Sequence, residues 1–197
     1  MCAPHITKTA VESRDYKTKE SIMVIAELDL ENAEHLELTD AQWRFGEGLV
    51  PGEPNGGLVD RLAEVSARLA DYDDSGWPVC ENIQEVILSG LCFGWYRITV
   101  TIPEEVDGTS VAGSKVWFHT CIDDYGEVWV DGEIDLAFGE SGRGAASGFN
   151  TPQRVVVTES AEPGAKHVIA CLAINGPLAR PGGGIFLRFA KLEFERE

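Results

Sequence analysis

Apolar and polar positions alternate along most of the second half of the chain, and that period of two sets the expected architecture. In residues 95–102, Tyr96, Ile98, Val100 and Ile102 fall on one face, and Trp95, Arg97, Thr99 and Thr101 on the other. A strand with one buried face requires this pattern. Pro103 cannot donate to a ladder, so pairing is expected to stop there. The same reading predicts strands over residues 115–122, 127–130, 154–158, 167–174 and 185–194. Between them stand turn formers: Asp107-Gly108, Asp131-Gly132, Pro163-Gly164 and the run from Pro181 to Gly184. Short strands punctuated by glycine, with little helix, predict a sandwich or barrel.

The first part of the chain reads differently. Residues 21–30 predict a strand, while residues 1–20 are polar, without an apolar period, and predict a flexible arm or an extended wrap. Leu36, Leu38 and Trp43 to Phe45 predict a further extended piece, and residues 50–57 a loop rich in proline and glycine. One helix is predicted, over residues 58–70. Leu58, Leu62, Val65 and Leu69 recur there at helical spacing, and Asp60, Arg61, Glu64 and Arg68 lie off that stripe. Residues 81–92 are mixed and favour no element.

Several of these segments carry a family likeness. Trp43-Arg44-Phe45 is followed by Asp73-Asp74-Ser75-Gly76-Trp77, then by Gly94-Trp95-Tyr96-Arg97 entering a strand that ends at Ile102-Pro103. Val116-Trp117-Phe118 then leads to Ile122, Asp123, Asp124 and the hairpin Glu127-Val128-Trp129-Val130-Asp131-Gly132. In order and spacing this resembles the N-terminal sugar-binding domain of family 2 glycoside hydrolases, the β-galactosidases and β-glucuronidases. Asp131 stands where the family's hairpin has asparagine. The resemblance covers roughly residues 38–194. It implies an all-β fold, an antiparallel jelly-roll β-sandwich of the galactose-binding-like type, with one inserted helix. On this reading residues 38–197 form the jelly roll, and residues 1–37 form an N-terminal extension packed on or beside it. In the large glycosidases this domain helps shape the substrate site, while both catalytic glutamates lie on a separate barrel that this chain lacks.

Charge narrows the partners. The 197 residues hold 33 acidic side chains against 16 Lys and Arg, a net charge of −17. Nucleic acid and anionic membrane both require a positive footprint, so neither is expected. The first ten residues show no secretory leader, and no apolar run reaches the length of a membrane span. Five cysteines at irregular spacing, none in a Cys-x-x-Cys pair, predict a reducing cytoplasm and no bound metal.

Strand parity sorts the candidate residues. With Val128 and Val130 turned to the core, Glu127 and Trp129 point away from it, as do Trp95 and Arg97 on their strand, and Trp117, His119 and Cys121 share one face of theirs. Were these strands neighbours, Trp95, Arg97, His119, Glu127 and Trp129 would line one surface. Indoles beside charged hydrogen-bonding groups suit a sugar, whose C–H face stacks on a ring while its hydroxyls take directed bonds. The alternative is that helix or arm covers the indoles. Residues 123–127 form the densest acidic cluster, Asp123-Asp124-Tyr125-Gly126-Glu127. Asp123, Asp124 or Glu127 would serve as a general acid, with His119 as the group titrating near neutrality, or the cluster is simply a hydrophilic turn. A structural calcium is open by resemblance, although the ligand pattern of an EF-hand loop is missing. The resemblance also places Arg143, Phe149 and Asn150 beside the sugar site. No phosphate loop, nucleophile elbow or zinc signature is present.

Two functions follow. One is a non-catalytic carbohydrate-binding module, acting alone or as an accessory subunit of a sugar-processing enzyme and needing no cofactor. The other is a small stand-alone enzyme, a cyclase, lyase or isomerase of specialised metabolism, using an acidic residue as general acid or base in an aromatic pocket. Both take a small-molecule or carbohydrate ligand, and both are compatible with a protein partner or a homo-oligomer.

Overall fold

Alternation of side chains across the pleat builds two antiparallel sheets that face each other. The computed structural model describes residues 23–51, 65–136, 144–176 and 182–196. The predicted arm over residues 1–20 and Arg143 lie outside them. One sheet has four strands, β1 (Met23–Asp29), β7 (Lys115–Ile122), β10 (Pro152–Thr158) and β13 (Leu187–Arg196), in the order β1-β13-β7-β10. The other has five, β2 (Arg44–Glu47), β4 (Cys92–Thr101), β8 (Tyr125–Val130), β9 (Ala145–Ser147) and β11 (Lys166–Asn175), in the order β2-β4-β11-β8-β9. Two short ribbons complete the β structure: β3 (Leu88–Ser89) with β12 (Gly184–Ile185), and β5 (Glu105–Val106) with β6 (Thr109–Ser110). The chain is therefore an antiparallel β-sandwich, as its patterning predicts.

Tyr96, Ile98 and Val100 of β4, the face that alternation assigned to the core, meet Ile169 and Cys171 of β11, Val116 and Phe118 of β7 and Leu192 and Phe194 of β13 in one buried cluster. β4 stops at Thr101, before Pro103. Asp107 and Asp131 have φ of 49° and 51°, and each precedes a glycine that is also at positive φ. Two successive left-handed residues are what a tight hairpin matching strand twist requires.

Three expectations change. First, residues 33–38 are helical and not extended. Asn32 caps α1 (Ala33–Leu38) by accepting the Glu34 N–H at 2.8 Å. Leu36 packs on the core while Leu38 is exposed, so the two leucines do not share a buried strand face. Second, residues 52–64, the bulk of the predicted helix and its lead-in, lie outside the described residues, and its end is not α-helical. Val65 is extended, and Ser66–Arg68 is a single 3-10 turn. The carbonyls of Ala67 and Leu69 are taken by the Arg97 guanidinium at 2.5 and 3.1 Å. Third, the N-terminal extension supplies an edge strand of the sandwich itself, since β1 pairs with β13 from Met23↔Arg196 to Asp29↔Lys191.

Candidate functional site

The outward face of the five-stranded sheet is only partly open. Trp95 and Arg97 are 1% and 2% exposed, because the segment from Val65 to Trp77 lies across β4. Trp95, Val65, Ala67, Ala170 and Leu172 form a second apolar cluster there. The Trp95 indole donates to the Leu49 carbonyl at 2.9 Å. Arg97 donates to Asp74 at 2.8 Å and lies over the Tyr72 ring, 5.5 Å from its centroid. Both residues hold a cover in place and are closed to a ligand.

Glu127 and Trp129 remain at the surface of β8. Glu127 accepts from the Tyr125 hydroxyl at 2.8 Å and from the Trp129 indole at 3.0 Å. This contact between positions two apart follows directly from the pleat. Burial, and then the bond to Glu127, push the Tyr125 hydroxyl up to about 12. The Arg68 guanidinium lies 5.1 Å from the Trp129 ring centroid and ties itself to the Gly132 carbonyl.

Below this row, the acidic turn joins β7 to β8 at one end of the sandwich. Asp123 is paired with Arg188 at 2.5 Å, and Arg188 also donates to the Phe149 carbonyl. The same guanidinium lies 4.9 Å from the Phe186 ring centroid. Burial, with the Asp124 charge beside it, pushes the Asp123 carboxyl above the ordinary carboxylate range despite Arg188. Asp124 accepts from the Gly176 N–H at 3.3 Å. An open depression of about 480 Å³ lies here, lined by Asp124, Tyr125, Ser147, Gly148, Phe149 and Ile174 among others. Phe149 is 56% exposed at its rim, and Asn150 follows it at the surface.

His119 is not part of this constellation. It belongs to β7, in the other sheet, and its Nδ1 lies 2.8 Å from Glu193. Arg154 joins Glu193 and Glu195 at 2.7 and 2.5 Å, and Trp117 donates to Glu195 at 2.6 Å. The expectation of a single surface fails for His119 because the acidic turn carries the chain from one sheet to the other. Outward residues of β7 and β8 therefore look in opposite directions. Arg188 was missed in the sequence because Asp123 is 65 residues away and no local pattern links them. Among the described residues no group of three or more His, Cys, Asp or Glu is placed to hold a metal ion. No helix among them is long and apolar enough to cross a membrane.

No protein-family model matches the sequence, and no curated protein matches it. Solved structures do. A β-glucuronidase of Bacteroides uniformis matches 86% of this chain with 18% of its own, at 14% identity and a TM-score of 0.54. A β-glucuronidase of Ruminococcus gnavus matches 91% of this chain with 30% of its own, at 13% identity and a TM-score of 0.55. A β-glycosidase of Bacteroides vulgatus matches 86% with 20% of its own, at 18% identity and a TM-score of 0.51. The fold resembles that of a domain of the family 2 glycoside hydrolases. At these identities the likeness extends to the fold and no further, and this chain spans less than a third of each of those proteins.

Proposed function

We propose that the chain is a non-catalytic carbohydrate-binding domain, acting as an accessory to a sugar-processing enzyme, with its ligand in the depression beside Phe149. The observation that carries this reading is the exposed Phe149 ring next to the polar groups of Asp124, Tyr125 and Ser147. An open aromatic face beside hydrogen-bonding groups is what a pyranose needs, one side of the sugar being apolar and its rim polar. The openness of the site favours binding over turnover. So does the engagement of Asp123 and Glu127 by Arg188, Tyr125 and Trp129. Four buried cysteines, unpaired among the described residues, fit a reducing compartment such as the cytoplasm.

One observation favours the enzymatic alternative. The raised carboxyl of Asp123 adjoins the same depression, and a general acid needs a carboxyl that keeps its proton. Calorimetric titration with neutral mono- and disaccharides separates the readings. Saturable binding that Phe149→Ala abolishes supports the binding domain. Turnover of a small-molecule substrate by a cyclase, lyase or isomerase reaction, lost in Asp123→Asn, would replace it with the enzyme.

A further inference from the structure

A second concavity lies away from that depression, between β2 and the segment from Trp77 to Leu88 that bonds to its outer edge, and is the larger of the two at about 930 Å³. That is within the usual range of small-molecule sites, roughly 300–1,000 Å³. Its apolar lining comes from Phe45, Trp77, Val79, Ile87 and Leu88. Val79 and Ile87 are 44% and 39% exposed, so this surface is open to solvent. Its floor is set by Gly46. A Cβ there would stand 2.7 Å from the nearest Trp77 ring atoms, so the indole lies directly against the strand backbone.

Among the described residues the charged lining has one sign: Glu47, Glu81 and Glu85 border the cleft, and none of its described lining residues is Lys, Arg or His. No ion pair among the described residues engages any of the three carboxylates. Apolar walls with an indole, and three carboxylates without an ion pair among the described residues, match a cation with an apolar body, and the net charge of −17 attracts cations from a distance.

We propose that this cleft binds a small amphipathic organic cation, an ammonium group carried on an aliphatic or aromatic body. The body rests against Trp77, Val79 and Ile87, and the ammonium is held among Glu47, Glu81 and Glu85. A carboxylate ligand, uronates included, is repelled. The site is independent of the depression at Phe149 and stands whether or not that one takes a sugar.

The test is titration of the full chain with 2-phenylethylammonium, 2-phenylethanol and 3-phenylpropanoate, which share an aromatic body and differ in charge. Heat of binding and the indole N–H resonance of Trp77 are followed. The ammonium is expected to bind saturably and shift that resonance, the alcohol to bind more weakly, and the carboxylate not at all. Glu47→Gln and Glu85→Gln should each weaken the ammonium roughly twofold to fivefold, and both together about tenfold. Val79→Lys, at an exposed position, should abolish binding, and Phe149→Ala should leave it unchanged. Equal affinity for ammonium and alcohol, no saturable binding, or affinity indifferent to the glutamate substitutions would each overturn the proposal.

Discussion

Arg97 Nε lies 2.8 Å from Asp74 Oδ2, on the side of β4 turned away from the core. The guanidinium is 2% exposed, and it also takes the carbonyls of Ala67 and Leu69. A single side chain thus supplies donors to the carbonyls of Ala67, Leu69 and Tyr72 and to the Asp74 carboxylate. Arg97→Met keeps the apolar stem and removes these bonds. It should cost about 2–4 kcal/mol, since buried carbonyls and the partner carboxylate lose their donor. Urea unfolding measures the loss, and proteolytic nicking near Leu69 should appear before global unfolding. Asp74→Asn leaves the carbonyl acceptors in place and should cost less than Arg97→Met.

Gly46 carries a second prediction. Any Cβ at this position meets the Trp77 ring at 2.7 Å, so the indole must shift away from the strand. Gly46→Ala should therefore displace the indole and cost about 1–3 kcal/mol by overpacking. The near-ultraviolet circular dichroism should change, while the far-ultraviolet β signal stays. An unaltered aromatic spectrum would mean that Trp77 is not seated as described.

These two sites mark the limit of what strand periodicity conveys. Alternation correctly placed Trp95 and Arg97 on the face opposite Tyr96 and Ile98, because parity is a local property of the pleat. Whether an outward face is open depends on a segment folding back over it, and nothing in residues 95–102 encodes the cover at Val65 to Trp77. The same holds for His119 and Glu127. Each was assigned the right side of its own strand, but their strands lie in different sheets and the shared surface does not exist. Local chemistry misled at residues 33–38, where the Asn32 cap outweighs two alternating leucines. The acidic turn and Phe149 were both legible as candidates, one from its charge and the other from the family likeness. Their meeting through Arg188 was not, since it is a contact of remote strands.

Acid sensitivity should be traceable to Glu193. Burial raises its affinity for a proton, but hydrogen bonds from His119 and Arg154 outweigh this and hold its carboxyl below the ordinary value of 4.5. A carboxylate depressed in the folded state contributes stability above the unfolded value and loses it as pH falls through the folded one. The stability gap between wild type and Glu193→Gln should be full near neutrality and narrow progressively below pH 4.5. Glu31 and Asp123, raised chiefly by burial, act with the opposite sign, but they are common to both proteins and cancel in the difference. Urea midpoints measured across the acid range test this, and a gap independent of pH would remove Glu193 from the account.

Asp131 separates backbone geometry from charge. It holds φ at 51° in the hairpin after β8, its Oδ1 accepts the Val168 N–H at 2.8 Å, and its Oδ2 lies 2.7 Å from His167. Asparagine tolerates the left-handed region and keeps an acceptor for Val168, losing only the contact that depends on charge. The carboxylate is 43% exposed, so that contact is worth little, and Asp131→Asn should change stability by less than about 0.5 kcal/mol. Asp131→Val forces a β-branched residue to positive φ and leaves the Val168 N–H without its acceptor, and it should cost about 2–3 kcal/mol. Urea unfolding of the two variants ranks the causes. If asparagine proves as damaging as valine, the His167 contact and not the turn is what fixes this hairpin against β11.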